Sequence, residues 1–435
     1  MTDTVKDVLE FVKENDVKFI RLAFCDAFGT QKNISVLSEM LESAFENGIS
    51  FDASAIEGFS GETDLLLFPD AGTLTVLPWR PQQGRVARLY CNIKNLDKTE
   101  YLGDTRSILS STVSRLQKLG YSCKIGTECE FYLFKTDLDG EPCKVPLDNG
   151  SYLDVSPLDK CENIRREICL TLEEMGIMPE ISHHEKGPGQ NEIDFTFSDP
   201  LSCADNLLTF KTVVKAVATR NGLFSSFMPK PFLNKNGNGL HINISLNKGG
   251  KNIFSKIEDG SEASYFIAGI LEKIPQMSLF LNPITNSYER LGEFEVPEYV
   301  SWSFENRSQL LRIPVATEDN ARIEIRSPDP AVNPYLAFSL IINAGLDGIE
   351  NKLKLMPAVD KNLLQEPKEN LKNFIPLPKN LKEAIKIAQD SQFIKDNITP
   401  KLLEKFLTFK KDENDKFSKA LDKEEFYETT YFKTI

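Results

Sequence analysis

Hydrophobic and polar positions alternate in more than one rhythm along this chain, and each rhythm predicts a different element. Residues 4–14 place apolar side chains at helical spacing and predict a short amphipathic helix, whereas Phe19 to Phe24 alternate as a strand does. Leu65–Phe68 and Arg85–Ile93 (RVARLYCNI) also have strand character, with turn residues at Pro69-Asp70-Ala71-Gly72 and between Pro78 and Gly84. The first hundred residues therefore predict a small, mainly β unit. Over Asn95–Asp104 (NLDKTEYLGD) the periodicity stops, so this stretch reads as a linker ending in a helix N-cap, Asp104.

A helix is predicted over 105–119, where Leu109, Val113 and Leu116 fall at i, i+4 and i+7; Gly120 ends it before a strand starting near Lys124. The same grammar recurs at 160–175, with Ile164, Ile168, Leu172 and Met175 on one stripe, Gly176 as the stop and Ile177–Ser182 as the next strand. From about 380 to 424, Lys/Glu-rich turns alternate with Leu, Ile and Phe, as in a solvated helical bundle. No repeat of fixed period is present, which disfavours solenoids and propellers. The expected organisation is a domain over 1–100 and a larger one over 104–435.

Composition narrows the partners. The 435 residues include 51 Lys and Arg against 64 Asp and Glu, a formal charge of −13 that repels nucleic acid and anionic membranes. With 41% hydrophobic and 26% charged residues the chain has the make-up of a folded globular protein. Its eight cysteines contain no CxxC pair and read as reduced core thiols. The N-terminus carries charges throughout, and no window reaches 18 uncharged apolar residues, so the expected location is cytoplasmic.

Four segments carry chemistry. In GTECEFYLF, Glu128 and Glu130 are two residues apart on a strand, hence on one face about 7 Å apart; such a pair is either a solvent-facing edge or a cation site. In SHHEKGPGQNEIDF, a turn at Gly187-Pro188-Gly189 would fold Glu185 and Glu192 together, and only one of His183 and His184 can share their face. In NGNGLHINISL, Gly237 and Gly239 permit close backbone approach to a ligand, while His241, Asn243 and Ser245 alternate onto one face; the spacing is that of neither a Rossmann loop nor a P-loop. In ARIEIRSPDP, Arg322, Glu324 and Arg326 alternate as a salt-bridge ladder or as an anion site beside a metal ligand, with Arg307 and Arg312 just upstream. Hard oxygen ligands select Mg²⁺ or Mn²⁺, and arginines facing such metals suit a polyanion, so the residues alone point to a metal-dependent phosphotransferase or ligase.

These segments, together with FDASAIEGF, FMPKP, TNSYERL and NRSQLLRIP, stand in an order and spacing that closely resembles the glutamine synthetase family in its bacterial type I form. The resemblance implies an α+β fold: an N-terminal β-grasp domain and a C-terminal catalytic α/β domain with an open antiparallel barrel. It implies assembly into two stacked hexameric rings, a dodecamer. It implies that Glu130, Glu185 and Glu192 hold one divalent metal and Glu128, His241 and Glu324 a second. Arg290, Arg326, Asn236 and Gly237 would bind glutamate; Glu180, Ser245 and Arg322 would contact ATP, and Arg307 and Arg312 the transferring phosphate. The implied reaction makes γ-glutamyl phosphate and ADP, and ammonia then displaces phosphate, with Asp52 and Glu295 holding and deprotonating ammonium.

The chain departs from the family at two places. The usual RLVPGYEAP loop is RLGEFEVP here, one residue shorter, and DGSS is Asp52-Ala53-Ser54-Ala55. Both bear on the nucleophile, which makes a γ-glutamyl amine or polyamine ligase of the same fold the alternative reading. By the same resemblance, the stretch NLLQEPKENL lacks the tyrosine of the adenylylated subgroup and Ser60-Gly61-Glu62 the arginine of the feedback-sensitive subgroup, so neither covalent adenylylation nor strong glutamine inhibition of the latter type is expected.

Overall fold

The computed structural model describes residues 4–59, 61–367 and 369–435; Ser60 and Lys368, which fall in the two stretches compared for regulation, lie outside the described residues. The N-terminal unit begins with α1 (Val5–Glu14), capped by the Thr4 hydroxyl accepting from the Asp7 amide, with Val8 and Val12 buried. The chain continues through β1 (Val17–Cys25), β2 (Gln31–Leu37), α2 (Leu41–Asn47), β3 (Ile49–Asp52), β4 (Asp64–Pro69), β5 (Thr75–Val76) and β6 (Arg85–Lys94). These strands form one sheet of order β2-β1-β6-β4-β3, with β5 on β6; β1 and β6 run parallel and the other pairs antiparallel. Ile20, Leu22, Leu67, Leu89 and Ile93 fill its core.

The polar stretch 95–104 is packed down instead of spanning freely. Asn95 and Thr99 close a turn, Tyr101 is buried edge-on against Phe59, and the Asp104 carboxylate accepts from both the Ile93 and Arg106 amides. Asp104 caps α3 (Thr105–Lys118) as expected. Polar residues break the periodicity here because they make turns and caps, which bury polar atoms by satisfying them.

The larger part continues with β7 (Tyr121–Thr136), β8 (Pro142–Pro146), α4 (Glu162–Glu174), β9 (Pro179–His184), β10 (Gln190–Phe195), α5 (Pro200–Arg220), β11 (Leu223–Ser226), β12 (Leu240–Lys248) and β13 (Lys251–Asn252). It closes with α6 (Glu262–Leu281), β14 (Trp302–Phe304), β15 (Leu311–Ile313), β16 (Ile323–Ile325), α7 (Pro334–Asn351), α8 (Leu381–Asp390), α9 (Gln392–Asn397), α10 (Pro400–Lys419) and α11 (Lys423–Tyr427). Its ten-stranded sheet follows β14-β15-β16-β12-β7-β10-β9, with β8 and β11 on β7 and β13 on β12. The end strands β14 and β9 do not pair, so the sheet is open; it is antiparallel except for β14 with β15. The strand expected from Ile177 starts two residues later, because the Ile177 amide turns back to the Leu172 carbonyl at the end of α4.

Sixteen-residue β7 is the spine. Its odd positions, Tyr121, Cys123, Ile125, Cys129 and Phe131, are buried in the main core with α3, α4 and α5, so the even positions, Glu128 and Glu130 among them, face the opposite side. Strand β12 repeats this: Leu240, Ile242, Ile244 and Leu246 enter the core, and His241, Asn243 and Ser245 share the other face. All eight cysteines are free thiols, six of them buried. Among the described residues no helix is long and apolar enough to cross a membrane.

One buried arginine joins the small sheet to the helices of the larger part. Arg106 of α3 donates to both Asp205 oxygens at 3.1 and 2.9 Å, to Asp70 at 2.8 Å and to Asn92 at 2.7 Å. Arg106→Met leaves the buried Asp205 carboxylate without its cation, which costs about 3–5 kcal/mol. Urea denaturation should show that loss as a lowered midpoint, whereas Lys433→Ala, which breaks the exposed pair with Glu141, should leave the midpoint unchanged.

Candidate functional site

Strand register aligns the acidic residues into rungs across the polar face. Glu192 on β10 pairs with Glu130 on β7 and, on its other side, with His183 on β9. One step along, Asp194 pairs with Glu128, which pairs with His241 on β12. Asn243 then pairs with Glu324 on β16, and Glu324 with Arg312 on β15. The turn between β9 and β10 brings Glu185 to the same rim, where with Glu128, Glu130, His183, Glu192 and His241 it lines a cavity of about 430 Å³.

Two sets of ligand-type atoms gather here, each within 4.8 Å: Glu128, His241 and Glu324, and His183, Glu185 and Glu192. The first is the trio expected for one metal. The second contains His183, 3.7 Å from Glu185 and 3.8 Å from Glu192, while Glu130 lies just outside it. The Glu130 carboxylate accepts from the Gly239 amide at 2.7 Å and the Gln190 amide group at 3.0 Å. The neighbouring His184 points away, bonded on one side to Asp148 at 3.0 Å and on the other to the Glu185 carbonyl at 2.6 Å. Asp148 also accepts from the Gly150 and Gly189 amides, so the cluster of Asp148, Asp159, Cys161 and His184 is internally bonded and pins the β9–β10 hairpin.

The two halves of the bowl carry their charge differently. Burial disfavours the Glu128 carboxylate, but hydrogen bonds from His241 (2.8 Å) and Asn243 (2.9 Å) with the His241 and Arg326 charges outweigh it, bringing its pKa down to about 2. Burial likewise opposes ionisation of Glu324, and the guanidiniums of Arg326 and Arg312 overcome it, Arg312 donating at 2.6 Å. On the other half, burial and the Glu130 charge raise Glu185 to about 7 and push Glu192 well up, while burial and the Glu128 charge raise Asp194 to about 8.

The remaining expected residues fall into two groups. Asn236, Gly237, Arg290, Glu295, Arg307 and Arg326 line the bowl with the carboxylates. Arg290, only 2% exposed, donates to the Ser327 carbonyl at 2.9 Å, and the buried Nε atoms of Arg290 and Arg326 have no acceptor among the described residues. A Cβ on Gly237 would stand 2.4 Å from the Pro229 carbonyl, so that position requires glycine, and one on Gly239 would stand 2.7 Å from the Arg290 guanidinium and displace it. Glu295 forms a lip with Lys186, at 2.7 Å.

Five residues do not line it. Arg312 reaches it only through Glu324. Ser245 lies farther along β12, and Arg322 donates to Asn243 at 3.1 Å. Glu180 is exposed on β9. Asp52 is exposed on the small unit, where it caps the turn Ala53–Ala55 by accepting from Ser54 at 2.9 and 2.6 Å. Within one chain the fold does not bring Asp52 to the bowl.

Sequence reasoning passed over Gln190 and Asp194, although their period-two spacing with Glu192 would have placed all three on one face. It singled out neither Lys186 nor Phe294; no local signal marks them, because only the meeting of two loops brings them to the lip.

Comparison with known proteins identifies the architecture. Residues 16–96 match the glutamine synthetase β-grasp domain family, and residues 102–429 match the glutamine synthetase catalytic domain family. The chain is 46% identical over 403 residues to the glutamine synthetase of Clostridium saccharobutylicum, covering 90% of each. It is 44% identical over 423 residues to that of Methanosarcina mazei, covering 95% of each. Its fold superposes on the GmaS/ADP complex with a TM-score of 0.86 at 28% identity over 99% of both chains. It also superposes on the cryo-EM structure of Plasmodium falciparum glutamine synthetase with a TM-score of 0.85 at 25% identity, covering 98% of both. Matched in both of its parts and aligned to close sequence relatives along 90% or more of its length, this chain belongs to the glutamine synthetase family.

Proposed function

We propose that the protein is an ATP-dependent glutamate–ammonia ligase whose reaction runs in this bowl, with a domain boundary at residues 100–104. The observation that carries the reading is the convergence of two carboxylate–imidazole sets with buried arginine donors that have no acceptor among the described residues. Oxygen-rich donors with one imidazole suit Mg²⁺ or Mn²⁺, held by Glu128, His241 and Glu324 and by Glu130, Glu185 and Glu192 with His183 beside them. Bound there, the cations would offset the phosphate charge and order both anions.

The chain's own residues divide the remaining work. Arg290 and Arg326, with Asn236 and the Gly237 backbone, bind glutamate and aim its γ-carboxylate. Glu180, Ser245 and Arg322 contact the nucleotide, and Arg307 and Arg312 the transferring phosphate. The γ-carboxylate attacks the terminal phosphorus of ATP, giving γ-glutamyl phosphate and ADP. Phosphorylation converts a poor leaving group into phosphate, which ammonia displaces to give glutamine. Ammonium is not nucleophilic, so Glu295 on the lip and Asp52 from a neighbouring subunit hold it and take its proton. The enzyme works in the cytoplasm as a homo-oligomer, a dodecamer of two hexameric rings. Supporting assembly, β9 is an exposed sheet end carrying Ile181, beside exposed Leu153, Val155 and Leu170.

The shortened RLGEFEVP loop favours a γ-glutamyl amine ligase as second reading. ADP release with glutamate plus ammonia, methylamine or a diamine separates the two: ammonia should give the fastest turnover, and a preference for either amine establishes the alternative. Glu128→Ala and Glu324→Ala should each lower the ammonia rate more than about 100-fold with unchanged circular dichroism.

The raised acids give a pH signature. Glu185 and Asp194 hold protons more tightly folded than unfolded, so the stability these two acids contribute to the metal-free protein is full below about pH 4 and is lost as pH rises through about 7 to 8. Thermal melts of chelator-treated protein should show that decline, and Mg²⁺ or Mn²⁺ at pH 8 should reverse it.

A shared site predicts complementation. Inactive Asp52→Ala and Glu324→Ala proteins, dissociated and reassembled together, should regain part of the activity. Mixed oligomers verified by mass spectrometry that remain inactive would count against it.

A further inference from the structure

Behind the lip lies a buried ammonium that forms no close ion pair among the described residues. Lys230 is 1% exposed, and its Nζ has no hydrogen-bond partner among the described residues. Its backbone is held rigidly: the amide donates to the Asn286 side chain at 2.7 Å, and the carbonyl accepts from it at 3.1 Å. The ammonium instead sits 4.4 Å from the centre of the Phe294 ring, whose electron-rich face is the compensation a desolvated cation can use. Burial lowers the Lys230 pKa to about 8, with Glu293 and Glu289 pulling it up and Arg290 pushing it down, so the ammonium persists at neutral pH.

Phe294 belongs to a loop that needs holding. It and Glu295 both adopt left-handed backbone conformations, with φ of 48° and 72°. Such residues are strained and persist only where their surroundings over-determine them. The loop's own hydrogen bonds, Val296 amide to Glu293 carbonyl at 2.9 Å and Gly292 amide to Val296 carbonyl at 3.2 Å, close the turn but tie it to no other element. Its outer attachment is the exposed pair of Glu295 with Lys186, which water and salt weaken. Its inner attachments are buried Pro297 at its C-terminal end and, at its tip, Phe294 on Lys230. Phe294 is otherwise 44% exposed, so apolar burial does not account for its position.

We propose that Lys230 is a positioning residue that, through the face of Phe294, holds the 292–297 loop and Glu295 closed over the glutamate pocket. The proposal rests on the reading of this bowl as a glutamate site, but the latch itself can be measured without catalysis. In Lys230→Met and Phe294→Leu proteins, hydrogen exchange of the Gly292 and Val296 amides should rise about tenfold while exchange in β12 stays unchanged. Phe294→Trp, which keeps an aromatic face, should retain wild-type protection, and the Lys230→Met/Phe294→Leu double variant should exchange no faster than either single one. Because an open loop reduces the binding-competent fraction, the glutamate KM should also rise about tenfold in the two single variants, with a smaller change in kcat.

Unchanged loop exchange in Lys230→Met overturns the proposal, as does Phe294→Trp behaving like Phe294→Leu. If Lys230→Met does not fold, the Phe294→Leu and Phe294→Trp pair decides by the same exchange measurement. An enzyme that makes no glutamine while its loop responds as described leaves the latch standing and removes only the substrate reading.

Discussion

Like charge concentrated on one face of a sheet is the constraint around which this molecule is organised. Glu128, Glu130, Glu192, Asp194 and Glu324 project from adjacent strands, and Glu185 joins them from a turn. Left unpaired in a half-buried bowl, so many carboxylates would drive the strands apart. The protein handles the two halves differently. Around Glu324 and Glu128 it supplies arginines and a histidine, and the carboxylates stay ionised. Around Glu185, Glu192 and Asp194 the described residues supply too little positive charge to offset burial, and these acids hold their protons into the neutral range. The second half is therefore the half that gains most from a divalent cation.

Repulsion on the polar face is opposed by packing on the other. Cys129, Ile193, Leu240, Ile242, Ile323 and Ile325 lie in one continuous core with α3, α5, α6 and α7. Their burial fixes strand register, and a one-residue slip would exchange every glutamate for an apolar side chain. The same logic explains Arg106, which draws together Asp205 from the helical layer and Asp70 and Asn92 from the small sheet. A buried guanidinium with several partners holds two units in one orientation, since releasing either leaves a charge unpaired.

At the rim, rigidity gives way to loops whose positions depend on few contacts. Gly237 and Gly239 let the backbone run close to Arg290 and Glu130, and the β9–β10 turn is fixed by Asp148 and His184. The 292–297 loop is buried only at Pro297 and exposes its tip, Glu293 to Glu295. It meets the hairpin through Lys186 and the interior through Lys230, two lysines in opposite environments, one exposed and one buried.

The strands of the bowl were legible in the sequence because a period of two is a local property: Glu128 with Glu130, His241 with Asn243, and Glu324 between two arginines all declare a common face. Helix stops at Gly120 and Gly176 and the cap at Asp104 were legible for the same reason, each depending on residues within one turn. What the pattern could not supply is which strands are neighbours. The rung His183–Glu192–Glu130 joins three strands, and sequence spacing does not specify that His183 approaches the second cluster more closely than Glu130 does. Likewise, the polar run at 95–104 has a linker's composition, yet Tyr101 and Asp104 bury it. Lys230 and Phe294, 64 residues apart, carry no shared signal along the chain; their contact exists only once the loop folds over a buried ammonium, because an unpaired cation seeks its partner in space.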